Sequence, residues 1–374
     1  MGIRIVTMDK MKKSIFWLWV AFATCSFLPS ATAEITYDRE KGFRVEGGFL
    51  SRFFNNDGGE EKAQQLIQEA EAELAAQDYR DALSTYKKIA KRFPVEKVVT
   101  SDGRKVYAAA EAYYQMALLH EHHSKWEKAF DALQKVVEKY PSYDFGKVIE
   151  AQSRIAFKLG AGARTKLFRV IPGFRNFNKA REFHQQISEN ARGPEHAPRA
   201  LMASAEIARR TDKKPEAIDS LERLISLYPD DSLGEKAYFD LAVIHESMVK
   251  GPFYDQGATL KAVNFYEDYL ILFETIARAP RESGEDFAKR KKAWVIRLAE
   301  AEQGLARMRD MLSRSKLEIG KYYHRHGHKF APRASVDKPA RQFYNEAMTL
   351  APDSASARSA KKLREELKKT ANQP

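Results

Sequence analysis

Tyr79-Arg80-Asp81-Ala82-Leu83-Ser84-Thr85-Tyr86-Lys87-Lys88-Ile89-Ala90-Lys91-Arg92-Phe93-Pro94 is matched in spacing by the stretch from Trp126 to Pro141. Tyr79 aligns with Trp126, Ala82 with Ala129, Tyr86 with Leu133, Ile89 with Val136 and Pro94 with Pro141. A third copy reads Ala217, Leu221, Leu224, Pro229 and a fourth Ala340, Tyr344, Ala347, Pro352, with the proline always twelve residues after the alanine. Two less regular copies lie between them, around Phe177, Ala180 and Ile187 and around Ala262, Tyr266 and Tyr269. Internal repetition outranks any single local signal, because it identifies the unit that is stacked.

Each position has a physical role. The alanine sits where two helices cross closely, since a larger side chain would push the backbones apart. Residues four and seven further on share its face and fill the space against the next unit. Proline cannot continue the second helix, so it stops it and turns the chain. Phe93, Tyr140 and Tyr228 place an aromatic just before that stop. The predicted fold is all-α, an array of about six helix pairs over residues 59–370 with a short tail at 371–374.

These residues resemble the tetratricopeptide repeat over roughly 300 residues, a pattern with a period of about 34. Here the alanines fall at 82, 129, 180, 217, 262 and 340, so longer helices and expanded loops are expected. The resemblance implies helical hairpins stacked into a right-handed superhelical solenoid, whose inner groove is lined by the first helix of each unit. The order of units is similar to that of the BamD/YfiO family of outer-membrane assembly lipoproteins. Gln77 through Pro94 looks like that family's opening unit and Ala109 to Tyr140 like its second. Arg314 to Arg325 with Ile319-Gly320-Lys321-Tyr322-Tyr323, then Ala340-Arg341-Gln342-Phe343-Tyr344 and Ala351-Pro352-Asp353, looks like its closing unit. The resemblance implies a groove formed by Glu111, Tyr114, Leu118, Glu121 and His122 in the second unit. In the fourth it implies Arg199, Met202, Glu206, Arg209 and Arg210. The partners implied are a barrel-assembly component and unfolded outer-membrane chains, met in the periplasm at the inner face of the outer membrane.

Residues 1–33 read as a signal peptide. Lys10, Lys12 and Lys13 are followed by an apolar stretch from Ile15 to Leu28, by Pro29 and by Ala31-Thr32-Ala33 before Glu34. The apolar run is short of the roughly 20 residues that span a bilayer. Cys25, the one cysteine of the chain, is removed with the signal if cleavage follows Ala33. The alternative is that Cys25 becomes the lipidated first residue of a lipoprotein, so membrane contact is either peripheral or through a lipid anchor. Residues 34–58, with Gly42, Gly47, Gly48 and Gly58, read as a linker with a small hairpin. Phe43, Phe49, Leu50, Phe53 and Phe54 either pack on the first helices or touch a membrane or partner.

The chain has 374 residues and a formal net charge of +12. Residues 1–33 carry +3 of this, leaving +9 after export, a balance that favours acidic partners or anionic surfaces. Nucleic acid is not an expected partner for an exported protein. Basic and aromatic residues interleave from Arg164 to Lys179, which reads either as a gripping surface or as an expanded loop packing its apolar residues under the third unit. Val249 to Thr259 reads as a long loop within the fifth unit, and Arg278 to Glu285 with the charged segment after it enlarges the sixth.

No catalytic signature stands in its required context, and no cofactor is expected. Gly160-Ala161-Gly162 lacks the glycine-lysine pair of a phosphate loop and reads as a turn. His120-Glu121-His122-His123 does not place two histidines four apart on a helix face, the arrangement a zinc protease needs. That group and the alternate histidines His324, His326 and His328 read as polar surface. The reading is therefore a non-enzymatic, exported scaffold. Its alternative is a soluble periplasmic adaptor for peptidoglycan or cell-division machinery.

Overall fold

The computed structural model describes residues 34–38, 42–46, 58–167, 171–279, 282–329 and 337–371. Residues 1–33 with Cys25, the aromatic stretch holding Phe49, Leu50, Phe53 and Phe54, and the extreme C-terminus lie outside the described residues. The chain divides into two compact units, residues 1–109 and 110–374.

In the first unit, β1 (Glu34–Asp38) pairs antiparallel with β2 (Gly42–Glu46). Helix α1 (Gly59–Ala75) then packs on α2 (Tyr79–Arg92). Ala63, Ile67 and Ala70 of α1 face Ala82, Tyr86 and Ile89 of α2, all fully or almost fully buried, the spacing of a single helical stripe. A hairpin of β3 (Lys97–Val99) and β4 (Lys105–Tyr107) follows. Gln64 of α1 holds its edge: its side-chain amide donates to the Val99 carbonyl at 2.9 Å and accepts from the Val99 N–H at 2.8 Å. Val98 is buried in the same place. This hairpin accounts for the extra length between the first two alanines.

Helix α3 (Ala108–His122) runs into the second unit, which continues with α4 (Trp126–Lys139) and α5 (Phe145–Gly160). Strands β5 (Arg164–Leu167) and β6 (Ile171–Arg175) form an antiparallel hairpin before α6 (Phe177–Asn190). The segment expected as either a gripping surface or a packed loop is thus a strand hairpin over Arg164–Leu167 and Ile171–Arg175 and helical from Phe177, and Trp126 Nε1 donates to the Arg164 carbonyl at 3.2 Å. Phe168, Arg169 and Val170 lie outside the described residues. Helices α7 (Ala197–Arg210), α8 (Lys214–Leu227), α9 (Gly234–Glu246) and α10 (Gly257–Leu272) follow. The unit ends with the 43-residue α11 (Gly284–His326), α12 (Asp337–Leu350) and α13 (Ala355–Ala371).

One turn recurs between the helices of a pair. Gln77, Ser124 and Asp212 each adopt a left-handed φ between +54° and +63° two residues before the second helix, and Gly162, at +96°, plays the same part after α5. The next residue's N–H then reaches back five positions, Asp78 to Glu73, Lys125 to His120, Lys213 to Ala208 and Ala163 to Lys158. This closure satisfies carbonyls that a helix end leaves open. Gly160 and Gly162 therefore belong to a helix stop, as the sequence implied.

The core of the second unit is layered. Leu201, Ala205, Leu221, Leu224 and Leu241 join α7, α8 and α9. Phe239, Tyr266, Tyr269, Leu305 and Met308 join α9, α10 and α11, and Leu317, Tyr344, Ala347 and Leu367 join α11, α12 and α13. Phe130 and Phe183 stack with ring centroids 3.8 Å apart across the second helices α4 and α6. Helix α11 serves two layers because it is roughly 64 Å long at about 1.5 Å per residue.

Two glycines let it do so. A Cβ on Gly304 would run into the Tyr266 ring, and one on Gly320 would lie 2.7 Å from the Tyr344 ring. Both tyrosines are buried, and the Tyr266 hydroxyl is fixed by Glu246 at 2.5 Å, so the ring has nowhere to go. Overpacking costs about 1–3 kcal/mol, against a helix-propensity gain of up to about 1 kcal/mol. Gly304→Ala is therefore expected to lose about 1–2 kcal/mol net and to lower the melting temperature by several degrees. Gly284→Ala, where the added methyl meets nothing, is expected to leave the melt unchanged or raise it slightly, and differential scanning calorimetry of the two variants checks this.

Candidate protein-binding surface

Helices α3, α5, α7, α9 and α11 are the first helices of their pairs, and charged side chains on them run from one first helix to the next. Glu121 of α3 accepts from Arg154 Nε at 3.0 Å, Arg154 Nη2 at 2.9 Å and Lys158 Nζ at 2.8 Å, both residues on α5. Burial pushes the Glu121 carboxyl up, but these bonds outweigh it and hold the group below the ordinary carboxylate range. Arg210 of α7 donates to the Gly160 carbonyl at the end of α5 at 3.1 Å and lies over the Phe177 ring.

Lys236 of α9 sits between Glu206 of α7 at 2.9 Å and Asp240 of its own helix at 2.8 Å. Arg209 of α7 completes the cluster at 2.5 Å from Asp240. Burial disfavours the Lys236 charge, yet Asp240 and Glu206 hold its pKa above the ordinary lysine value. Glu235 and Glu246, also on α9, reach α11. Glu235 takes Arg297 through two bonds of 2.9 and 2.6 Å and the Tyr269 hydroxyl at 2.6 Å. Glu246 takes Arg307 at 2.8 and 3.1 Å together with the Tyr266 hydroxyl. Burial and then the neighbouring carboxylates raise both tyrosines well above the ordinary phenol value.

These pairs have unequal weight. Glu121, Glu206 and Glu246 pair with cations whose side chains are 31% or more exposed, and such pairs contribute about 0–1 kcal/mol each. Glu235 is 3% exposed and Arg297 16%, so breaking that pair strands a buried charge.

The residues expected to line a groove divide into three groups. Glu111, Tyr114 and Met202 are buried. Glu111 accepts from the Tyr143 hydroxyl at 2.8 Å and from Gln115, and Tyr114 packs beside the Tyr143 ring with Lys147 over its own face. Leu118 and Glu121 are half-buried. His122, Arg199, Glu206, Arg209 and Arg210 are exposed, four of them on α7. The inter-helix clamps had no local signal in the sequence, because Glu235 and Arg297 stand 62 residues apart and each alone reads as a solvated charge.

The histidines of the first cluster differ in setting, although the His122 and His123 rings lie 5.2 Å apart. His120 is buried while His122 is exposed, and His324 Nδ1 lies 3.1 Å from the Tyr344 hydroxyl. Among the described residues no group of three or more His, Cys, Asp or Glu is placed to hold a metal, and no helix is long and apolar enough to cross a membrane.

Comparison with known proteins decides the nature of the helix pairs. A tetratricopeptide-repeat family profile matches residues 67–144, and a second such profile matches residues 199–231. The chain carries tetratricopeptide repeats. The matched spans cover α2 with α4 and α7 with α8, three of the four copies in which the alanine-to-proline spacing is regular. No curated protein matches the chain. Among solved structures it is similar to the MamA protein, at 16% identity over 64% of this chain and 91% of that one, with a TM-score of 0.27. It is also similar to pilF of Pseudomonas aeruginosa, at 11% identity over 80% and 97% of the two chains and a TM-score of 0.26. A tetratricopeptide repeat protein from Parabacteroides merdae is similar at 10% identity over 82% and 99%, with a TM-score of 0.29. The fold is all-α, made of tetratricopeptide helical hairpins, a scaffold whose usual work is to bind other proteins.

Proposed function

We propose that this protein is an exported, non-enzymatic scaffold of the bacterial envelope that takes part, in the manner of the BamD family, in assembling β-barrel proteins into the outer membrane. The observation that carries the binding reading is the exposed face of α7. Arg199 faces solvent on this first helix, beside Glu206, Arg209 and Arg210, which are exposed but already bonded to α9 and α5, and arginine is among the side chains that most often anchor a partner. The basic start and apolar centre of residues 10–28 support export, and the order of the units supports an assembly role. Partners in this reading are a barrel-assembly component and unfolded outer-membrane chains, held by side chains and backbone with no chemistry of the scaffold's own.

The test is affinity capture of the full chain from cross-linked envelopes, followed by mass spectrometry. A barrel-assembly component is expected among the captured proteins, and Arg199→Glu, an exposed change that leaves the fold intact, is expected to reduce its recovery about tenfold. Recovery of no such component, or of peptidoglycan enzymes in its place with the protein in the soluble fraction, overturns the assembly reading in favour of the adaptor.

A further inference from the structure

The loop from Ser247 to Gln256 joins α9 to α10, and its aromatic residues are exposed on a backbone held by hydrogen bonds. Gly251 takes a φ of +131°, a conformation that side chains disfavour. The Gln256 side-chain amide donates both to the Gly251 carbonyl at 3.0 Å and to the Tyr254 carbonyl at 2.6 Å, closing the loop on itself. Asp255 accepts from the Gly257 N–H at the start of α10 at 3.2 Å. The second half of the loop is thus tied to itself, yet Phe253 is 76% and Tyr254 61% exposed.

Opposite these rings lies one stripe of α11. Ser315, Ile319, Tyr322 and His326 recur at helical spacing and form, with the loop, a cleft of about 490 Å³. Ile319 and Tyr322 are also exposed, so two apolar walls on separate elements meet across water. The charged residues of the rim are Glu318, Lys321 and Arg325. Glu318 already takes Lys321 at 2.7 Å, which leaves exposed Arg325 as the cation that an incoming carboxylate would meet.

We propose that this cleft binds a peptide segment in which acidic residues alternate with bulky apolar ones, the apolar side chains seated between Phe253, Tyr254 and Tyr322 and a carboxylate held by Arg325. The volume is within the range of about 300–1,000 Å³ typical of sites that enclose a few groups. Aromatic walls with an arginine at the edge match the composition of anchoring pockets. The net positive charge of the chain favours the same sign of partner. This inference rests on the scaffold reading and names a second contact for it, away from α7.

The test uses the full chain and a fluorescein-labelled octapeptide alternating Glu with Phe and Leu, read by fluorescence anisotropy. A counterpart with Lys in place of Glu is the control. Saturable binding of the acidic peptide alone is expected, weakened at least tenfold by Arg325→Glu and by Tyr322→Ala. Both positions are exposed, and circular dichroism melts of the variants are expected to match the parent. Equal binding of the two peptides, or unchanged affinity in both variants, overturns the proposal. So does displacement of the acidic peptide by phosphatidylglycerol vesicles that themselves bind through Arg325, since the cleft would then recognise a lipid surface. Capture of the envelope component by Arg325→Glu, measured alongside, separates failure of the cleft from failure of the scaffold reading.

Discussion

Glu235→Ala is expected to cost the second unit about 3–5 kcal/mol. Glu235 is the point where α9, α10 and α11 meet: it receives two bonds from Arg297 and one from the Tyr269 hydroxyl. Truncating it leaves a guanidinium and a phenol facing each other in a space that water hardly reaches. Removing both charges is a different matter, because two buried ions brought out of water give back little net energy when paired. Glu235→Ala combined with Arg297→Met is therefore expected to recover more than half of the loss. Trp294, whose indole donates to the Phe273 carbonyl at 2.9 Å one turn before Arg297, reports this region in urea unfolding followed by fluorescence. A change in the Glu235→Ala transition worth less than about 1 kcal/mol would falsify the clamp.

Acid is expected to weaken the second unit first through its buried histidines. His184 is buried on α6 and its pKa is lowered from 6.5 to about 4, chiefly by burial, with Glu206 pulling weakly the other way. As pH falls through 6.5 the unfolded chain takes up a proton at this position and the folded chain does not. Stability is thus level above pH 6.5 and declines between pH 6.5 and about 4. The full span amounts to roughly 3 kcal/mol, since each tenfold difference in proton affinity between the folded and unfolded chain is worth about 1.4 kcal/mol. His245 acts in the same direction: it is buried, stacked on Phe265, and its pKa is lowered by burial and by Lys261. Glu121 and Glu246, held below the ordinary carboxylate range, withdraw their contributions only at lower pH. His184→Leu should flatten the slope of stability against pH between 6.5 and 5, measured by urea denaturation at each pH. An unchanged slope in that variant would show that His184 does not set it.

How far the fold could be read from the sequence depends on whether a feature is written in neighbouring residues. Ala82, Ala129, Ala180, Ala217, Ala262 and Ala340 are all fully buried, because a helix crossing demands a small residue at one position and the spacing announces it. Pro94, Pro141 and Pro229 each follow the residue that caps a second helix, as a residue without an N–H must. The β3–β4 and β5–β6 hairpins were not legible. Lys97–Val99 and Lys105–Tyr107 are three residues each, too short for an alternating pattern to stand out. The left-handed turns at Gln77, Ser124 and Asp212 lack the glycine that would have signalled them.

The binding surface was less legible than the fold for a different reason. Charges along α7, α9 and α11 look alike in sequence, whether they face solvent, as Arg199 does, or clamp a neighbour, as Arg297 does. Tyr114 and Met202, chosen by family position, are buried, since the alanine-rich first helices turn several of their larger side chains into the packing. Val249 to Thr259 reads in the sequence as a long loop and Tyr322 as part of the closing unit, and only the fold places Phe253 and Tyr322 across one cleft.

The most direct measurement on the scaffold reading is site-specific photo-cross-linking in intact envelopes, with benzoylphenylalanine introduced at Arg199 on α7 and, for comparison, at Glu222 on α8, both exposed. The account predicts adducts with a barrel-assembly component or unfolded outer-membrane chains from position 199 and none from position 222. Identical adduct patterns from the two positions, or no protein adduct from position 199, would contradict it.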